Sequence, residues 1–378
     1  MSLLDSLAAN LPTQHGSEVC RAAAKRVALL RKWLSDNQYD GILISRRDNF
    51  AWLTCGGENS VLRHTEVGAG HIWITQDDQA LYAFTMDAER LINEHMPGQG
   101  YTPFIAKWYK DDPKQMAIKT GKGRIAADTP CSGATTVDLS RMHGPMFPLE
   151  FDRLRWLGHQ TALIFEELVK EIRPGMTEEE IGGRLNSLLV LKGIVPEVII
   201  TGSEGRISKY WHAPPTQKVV ERYALIHSAS MRWGLHACVN RLVCFGAPPP
   251  EVSKAHRAAA TIEGRVIGKL RTGVAYSDIL ECQKQWYGEL GYPGDWENHF
   301  QGGPTGYFLG DAERCFTDMR VSEYEAYDWF ITVQGVQVEE LTLLESETAE
   351  VASLGESWPR LSVAAEGRDV LVPDIYIL

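Results

Sequence analysis

The sequence lacks the features that mark several protein classes. It has no C-x-x-C pair, and its seven cysteines (Cys20, Cys55, Cys131, Cys238, Cys244, Cys282 and Cys315) are odd in number and scattered. Neither a disulfide framework nor a structural zinc knot is expected from that usage. Basic residues do not dominate: 38 Lys and Arg face 49 Asp and Glu, giving a net charge of -11. That balance argues against nucleic acid or an anionic membrane surface as partner. Apolar runs fall short of the ~18 residues that span a bilayer, and the start "MSLLDSLAANLPTQHG" has no basic end or long apolar segment of a signal peptide. A cytoplasmic protein is the expectation.

What is present fits an ordinary globular enzyme. With 378 residues, 44% of them hydrophobic, the chain exceeds one typical core, and two domains are expected. The first ~150 residues alternate helical and strand periods. "EVCRAAAKRVALLRKWLSDN" is amphipathic at helical spacing, "YDGILIS" reads as a buried strand, and "AGHIWITQDDQALYAF" reads as a hairpin around Asp77 and Asp78. An α/β domain over residues 1–150 is expected. The Gly144, Pro145 and Pro148 segment reads as a linker, and a long helical pattern begins near Phe151.

The rest of the chain contains a repeat. "EIRPGMTEEEIGGRLNSLLVLKGI" and "KLRTGVAYSDILECQKQWYGELGY" register at one offset, 98 residues, pairing Arg173 with Arg271, Gly175 with Gly273, Ile181 with Ile279 and Gly193 with Gly291. In each copy an Arg-x-Gly turn ends one helix, Thr177 or Ser277 stands ready to cap the next, and a glycine closes it. Residues 151–378 are therefore expected to form a pseudo-twofold α+β domain with helices outside and strands inside.

Several segments, in order, resemble the creatinase, prolidase and aminopeptidase P family, whose catalytic domain has the pita-bread fold. "RRDNFAWLTCGGENSV" with "DAERLINEH" resembles its N-terminal domain, and "IRPGMTEEEI" its helical signature. "WHAPPTQKVVERYALI" and "ENHFQGGPTGY" resemble its two histidine segments. In the metallopeptidase members two Asp, a His and two Glu hold two metal ions, whose bound water attacks an amide. Carried over, the two Asp positions fall at His227 and Cys238, the His at His299, the first Glu near Phe330 and the last at Glu339. Only His299 and Glu339 keep the family's residue types, so an ordinary two-metal peptidase is not expected.

Strand alternation puts His236, Cys238 and Asn240 on one face. One reading is a mononuclear zinc or iron site of His227, Cys238, His299 and Glu339. Another has Cys238 as a small packing residue and His227 hydrogen-bonded in the wall. A third makes Cys238 a nucleophile activated by His236, His227 or His212. The resemblance also implies a metal-free route, since creatinase hydrolyses a C–N bond with a histidine as acid and base. The matching residue is His212, held beside Pro214 and Pro215, and imidazole suits proton transfer near neutral pH. A creatinase carboxylate falls at Asn240, which cannot balance a guanidinium, so creatine is a poor substrate.

Arg206 is a candidate clamp for a substrate carboxylate, though a surface ion pair is an equally plain reading, and Tyr307 is a further candidate at the cavity. Trp211, Trp233, Trp296 and Trp329 suggest an aromatic wall. The expectation is a creatinase-like hydrolase needing no cofactor, with His212, His299 and Glu339 as catalytic residues and a small amino-acid-derived substrate. The alternatives are an inactive pseudo-peptidase that serves as a binding module, or the mononuclear metalloenzyme. The resemblance implies a homodimer.

Overall fold

A computed structural model describes residues 11–309, 316–317 and 319–378. Cys315 and the first ten residues lie outside the described part. Cys20, Cys55, Cys131, Cys238, Cys244 and Cys282 are free thiols. No helix among the described residues is long and apolar enough to cross a membrane. Two compact units emerge, one of residues 12–150 with 233–235, the other built on residues 151–232 and 236–378.

The N-terminal unit opens with helix α1 (Ser17–Asp36), whose Val19, Ala23, Val27, Leu30 and Leu34 are buried at three- and four-residue spacing. There follow β1 (Gly41–Arg46), α2 (Arg47–Thr54), β2 (Val67–Thr75), β3 (Gln79–Phe84), α3 (Thr85–Arg90), β4 (Thr102–Ala106), α4 (Pro113–Ile118), β5 (Ile125–Ala127) and β6 (Thr135–Thr136). They form one sheet in the order β4-β3-β2-β1-β5-β6. The expected hairpin is β2 and β3, antiparallel, with Ile72 opposite Leu81. Arg26, 1% exposed, is fixed by Glu150 at 2.7 Å and lies over the ring of Phe147.

Helix α5 (Pro148–Glu171) carries the chain into the second unit, the division falling within its first turn. Next come α6 (Glu178–Leu191), β7 (Val195–Ser203), β8 (Tyr223–Arg232), β9 (Leu235–Cys244), α7 (Pro250–Lys269) and α8 (Tyr276–Glu289). The remaining strands are β10 (Gly303–Thr305), β11 (Glu325–Asp328), β12 (Ile331–Val333), β13 (Val336–Val338), β14 (Leu341–Leu344), β15 (Glu350–Val351), β16 (Arg360–Ala365), β17 (Arg368–Pro373) and β18 (Tyr376–Ile377). Two four-stranded sheets, β18-β9-β8-β7 and β10-β11-β14-β15, supply the inner layer.

The repeat is real in space. Helices α6 and α8 begin and end 98 residues apart, and so do the C-termini of α5 and α7 at Glu171 and Lys269. Gly175 and Gly273 both turn with positive φ, 92° and 91°, a conformation that favours glycine. The caps differ from the expectation. Thr177 makes a full capping box with Glu180, whereas α8 starts two residues earlier than a Ser277 cap would require, with Ala275 at the N-cap and no side-chain hydrogen bond. The backbone bridge Ala275–Arg320, equivalent to Thr177–Val219, pins the α8 start instead.

The apolar core of this unit lies between α7, α8 and the strands they cover, with Ile262, Val266, Ile267, Ile279, Ile331 and Val372 fully or nearly buried. Each such aliphatic side chain contributes about 1.5–3 kcal/mol by leaving water. On α7, Gly264 and Gly268 face β16 so closely that an added Cβ would meet Val363 Cβ at 2.6 Å or Ala365 Cβ at 2.4 Å.

In the N-terminal sheet, His71 on β2 is 5% exposed, and its Nδ1 has no hydrogen-bond partner. Burial, with Lys114 nearby, lowers its pKa to about 3. An unfolded chain takes up this proton below about 6.5 while the folded chain does not, so acid withdraws stability, by up to about 1.4 kcal/mol per pH unit. Thermal unfolding will therefore fall less steeply from pH 6.5 to 4.5 in His71→Leu than in the wild type. Identical slopes would remove His71 from the acid response.

Candidate active site

Strands β8 and β9 are neighbours joined by the two-residue turn Trp233–Gly234, both at positive φ (56° and 72°), the backbone of a tight hairpin. The turn fixes the register that sends His227 and Cys238 to one place. His227 Nδ1, Cys238 Sγ and a Glu339 carboxylate oxygen lie within 4.8 Å of one another, all on buried residues. His227 Nδ1 approaches Glu339 Oε2 to 2.9 Å, yet out of line for a hydrogen bond. Asn240, on the same face of β9, donates to Gln337 Oε1 at 3.1 Å, and Gln337 in turn reaches Glu339 Oε2 at 3.5 Å.

A second carboxylate belongs to this cluster and was missed in the sequence. Asp328, at the end of β11 and fully buried, accepts the backbone N–H of Cys238 at 3.4 Å. The carboxylate found here is Asp328, two residues before Phe330, near which the resemblance had put the first Glu position. Phe330 stays beside it as apolar wall, packed with Cys238, Ala229 and Val198. Burial, and then Glu339, hold the Asp328 carboxyl well above the ordinary range. Burial, then Asp328 and Glu339, likewise push the Cys238 thiol up. Burial therefore works against a reactive thiolate at Cys238, which packs with Ala229 and Phe330.

His299 and His212 form an outer layer. Their Nε2 atoms are 3.2 Å apart, with His212 exposed and His299 half-buried. His299 Nδ1 lies 2.7 Å from the Phe300 carbonyl, which assigns the proton to Nδ1 and leaves Nε2 as an acceptor. Burial lowers the His299 pKa. The histidine segment is laid against β11 by Gly302, where a Cβ would meet the Asp328 carbonyl oxygen at 2.3 Å. Gln301 fixes it further by donating to the His299 carbonyl at 2.8 Å and receiving Tyr287 Oη at 3.1 Å.

The remaining candidates are employed elsewhere. Arg206 is turned to Glu178 and also donates to the Pro214 carbonyl at 3.0 Å. Glu178, fully buried at the start of α6, additionally accepts Ser203 N–H at 2.9 Å and the Thr216 hydroxyl at 2.7 Å. Arg206 is thus a clamp on the His212–Thr216 loop rather than a free guanidinium for a substrate. Tyr307 is buried at 1% exposure, and His236 Nδ1 lies 3.0 Å from the Gly306 carbonyl. Of the four tryptophans considered for an aromatic wall, Trp329 stacks on Tyr327 in the core and Trp233 is buried. The aromatic rings around His299 are those of Phe300 and Phe330, at centroid distances of 4.3 and 6.0 Å.

This two-layer architecture is that of the two-domain prolidases. An Xaa-Pro dipeptidase from Bacillus anthracis superposes with a TM-score of 0.72 at 15% identity, covering 94% of this chain and 100% of that one. An X-Pro aminopeptidase from Thermotoga maritima gives 0.71 at 19% identity over 93% and 99%. The N-terminal domain of FACT complex subunit SPT16 from Cicer arietinum (chickpea) gives 0.67 at 11% identity over 89% and 97%. In sequence, residues 152–323 match metallopeptidase family M24. The chain shares the fold of these structures, an N-terminal α/β domain followed by a pita-bread domain, and the segment similar to family M24 lies within the second. No curated protein matches it.

Removing Arg206 strands the buried Glu178 carboxylate. Arg206→Ala will lower unfolding stability by roughly 2–4 kcal/mol, as expected when one partner of a buried ion pair is deleted. Chemical denaturation measures it; a change confined to KM with unaltered stability would return Arg206 to the substrate.

Proposed function

We propose that the protein is a hydrolase that cleaves a C–N bond in a small amino-acid-derived molecule, with His212 and His299 as its proton-transfer pair. The observation that carries this reading is the 3.2 Å contact between their Nε2 atoms. It sits beside two buried carboxylates, on a fold shared with enzymes that cut Xaa-Pro bonds. Hydrolysis adds water to the carbon, breaks the C–N bond and delivers a proton to the leaving nitrogen. His212, exposed, is available to a substrate atom, and His299, with its Nδ1 proton held by Phe300 O, accepts or relays through Nε2. Glu339, fixed through Gln337 and Asn240, orients substrate or water from the buried side.

Because Asn240 stands where creatinase resemblance implies a carboxylate, a guanidinium substrate is disfavoured. The acidic balance supports a small molecule as partner over nucleic acid or a membrane surface, and the resemblance supports a homodimer. A binding module without turnover is the second reading, favoured by the exchange of both family aspartates for His227 and Cys238. Turnover of any member of a panel of Xaa-Pro dipeptides and N-substituted amino acids separates the two.

On the substrate so found, His212→Ala and His299→Ala will each lower kcat/KM by roughly 10²–10⁴, the usual worth of a general acid or base. Since burial lowers the His299 pKa, the acid limb of the wild-type profile will have its midpoint below pH 6.5. Unchanged kcat/KM in both variants would sink the assignment.

A further inference from the structure

The inner cluster has unfinished bonding. His227 Nδ1, Asp328 Oδ2 and Glu339 Oε1 are buried side-chain atoms without a hydrogen-bond partner, on residues 7%, 0% and 0% exposed. Buried polar atoms without a hydrogen-bond partner are costly, because they forgo their hydration. Backbone elements from four directions bring the cluster together, namely β8, β9, β11 and the segment after β13. The Cys238 sulfur, a His227 ring nitrogen and a Glu339 oxygen lie within 4.8 Å of one another, and Asp328 stands next to them on the Cys238 N–H.

A pair of metal ions does not fit these donors. Two divalent ions need several carboxylates to bridge them and offset four positive charges, and the cluster offers two carboxylates, one thiol and an imidazole. One divalent ion does fit: two carboxylates and a thiolate supply up to three negative charges, and four donors from N, O and S suit a compact coordination sphere.

We infer that His227, Cys238 Sγ and Glu339, with the adjacent Asp328 carboxylate, form a site for one thiophilic divalent cation, zinc or iron(II). It replaces the expectation of a metal-free cluster and deepens the hydrolase reading of the same region. Binding releases the thiol proton to solvent and makes the Cys238 sulfur a ligand. Asp328, absent from the four-residue set expected in the sequence, takes the part given there to His299, which leaves His299 to pair with His212.

The test is metal content and a thiolate signature, neither of which requires turnover. Full-length protein stripped by chelator is incubated with excess zinc or cobalt(II), freed of unbound metal by gel filtration and analysed for metal per chain. The expected result is one cation per chain, with a near-ultraviolet thiolate-to-cobalt absorption band in the cobalt form. The band is lost in Cys238→Ser, and bound metal is lost in His227→Ala while circular dichroism stays that of the wild type. Two cations per chain, no retained cation in folded wild type, or one cation without the band would each overturn the site. A metal-loaded protein that turns over no substrate would sink the hydrolase reading alone; an active protein that retains no metal would sink the cation site alone.

Discussion

Asp328 and Glu339 are carried fully into the interior, and much of the second domain is arranged around that. Carboxylates at zero exposure are tolerated only when neighbours hydrogen-bond them, share a proton with them or neutralise them. Here the help comes from the Cys238 N–H and the Thr305 and Cys238 side chains for Asp328, and from Gln337 for Glu339, with His227 Nδ1 2.9 Å away. The next residue, Glu340, faces away and meets the opposite solution, a buried Arg241 and the Ser353 hydroxyl. Adjacent acids on one strand end thus point to two environments, one closed by a guanidinium and one left open. The open one is where chemistry is available.

Around this interior the protein builds graded exposure. His212 is at the surface, His299 half-buried, and His227, Cys238, Asp328 and Glu339 are inside. Rigidity in the outer layer comes from side chains that never reach the centre. The buried Glu178, clamped by Arg206, ties the Ser203 end of β7 to Thr216. Tyr287 and Gln301 do the same for the His299 segment. Positioning by such hydrogen bonds is what lets two imidazoles stand at hydrogen-bond distance without being buried.

Much of the fold was legible in the sequence because its signals are local: helical spacing in α1, the β2–β3 hairpin, and an uninterrupted offset between two turn-and-helix units. The site was legible where motif and residue type coincide, at His212, His299 and Glu339. Asp328 was not, because it is a shorter acid on a strand of four residues, and nothing local marks it until β11 is seen pairing with β14. Arg206 was left open between a substrate clamp and an ion pair for a different reason. Its partner Glu178 looks like an ordinary first-turn acid of a helix, and the contact across 28 residues is visible only once β7 folds back over α6. Ser277 shows the limit of cap rules, since a backbone bridge served in place of a side chain.

The repeat also explains the uneven distribution of change. One half of the pseudo-twofold domain supplies His212, His227 and Cys238, and the other supplies His299, Asp328 and Glu339. The second half supplies two acids to the cluster, Asp328 and Glu339; the first half supplies an imidazole and a thiol at the places where the resemblance implies aspartates. Each exchange keeps a donor atom but removes a fixed negative charge, so the interior becomes less acidic from one side only. Such a change is tolerated because β8 and β9 belong to a sheet whose register is set by its own hairpin turn and by pairing with β7, independent of the charge at the site. The scaffold is therefore free to change its donors while holding their geometry, which is how one fold comes to serve more than one chemistry.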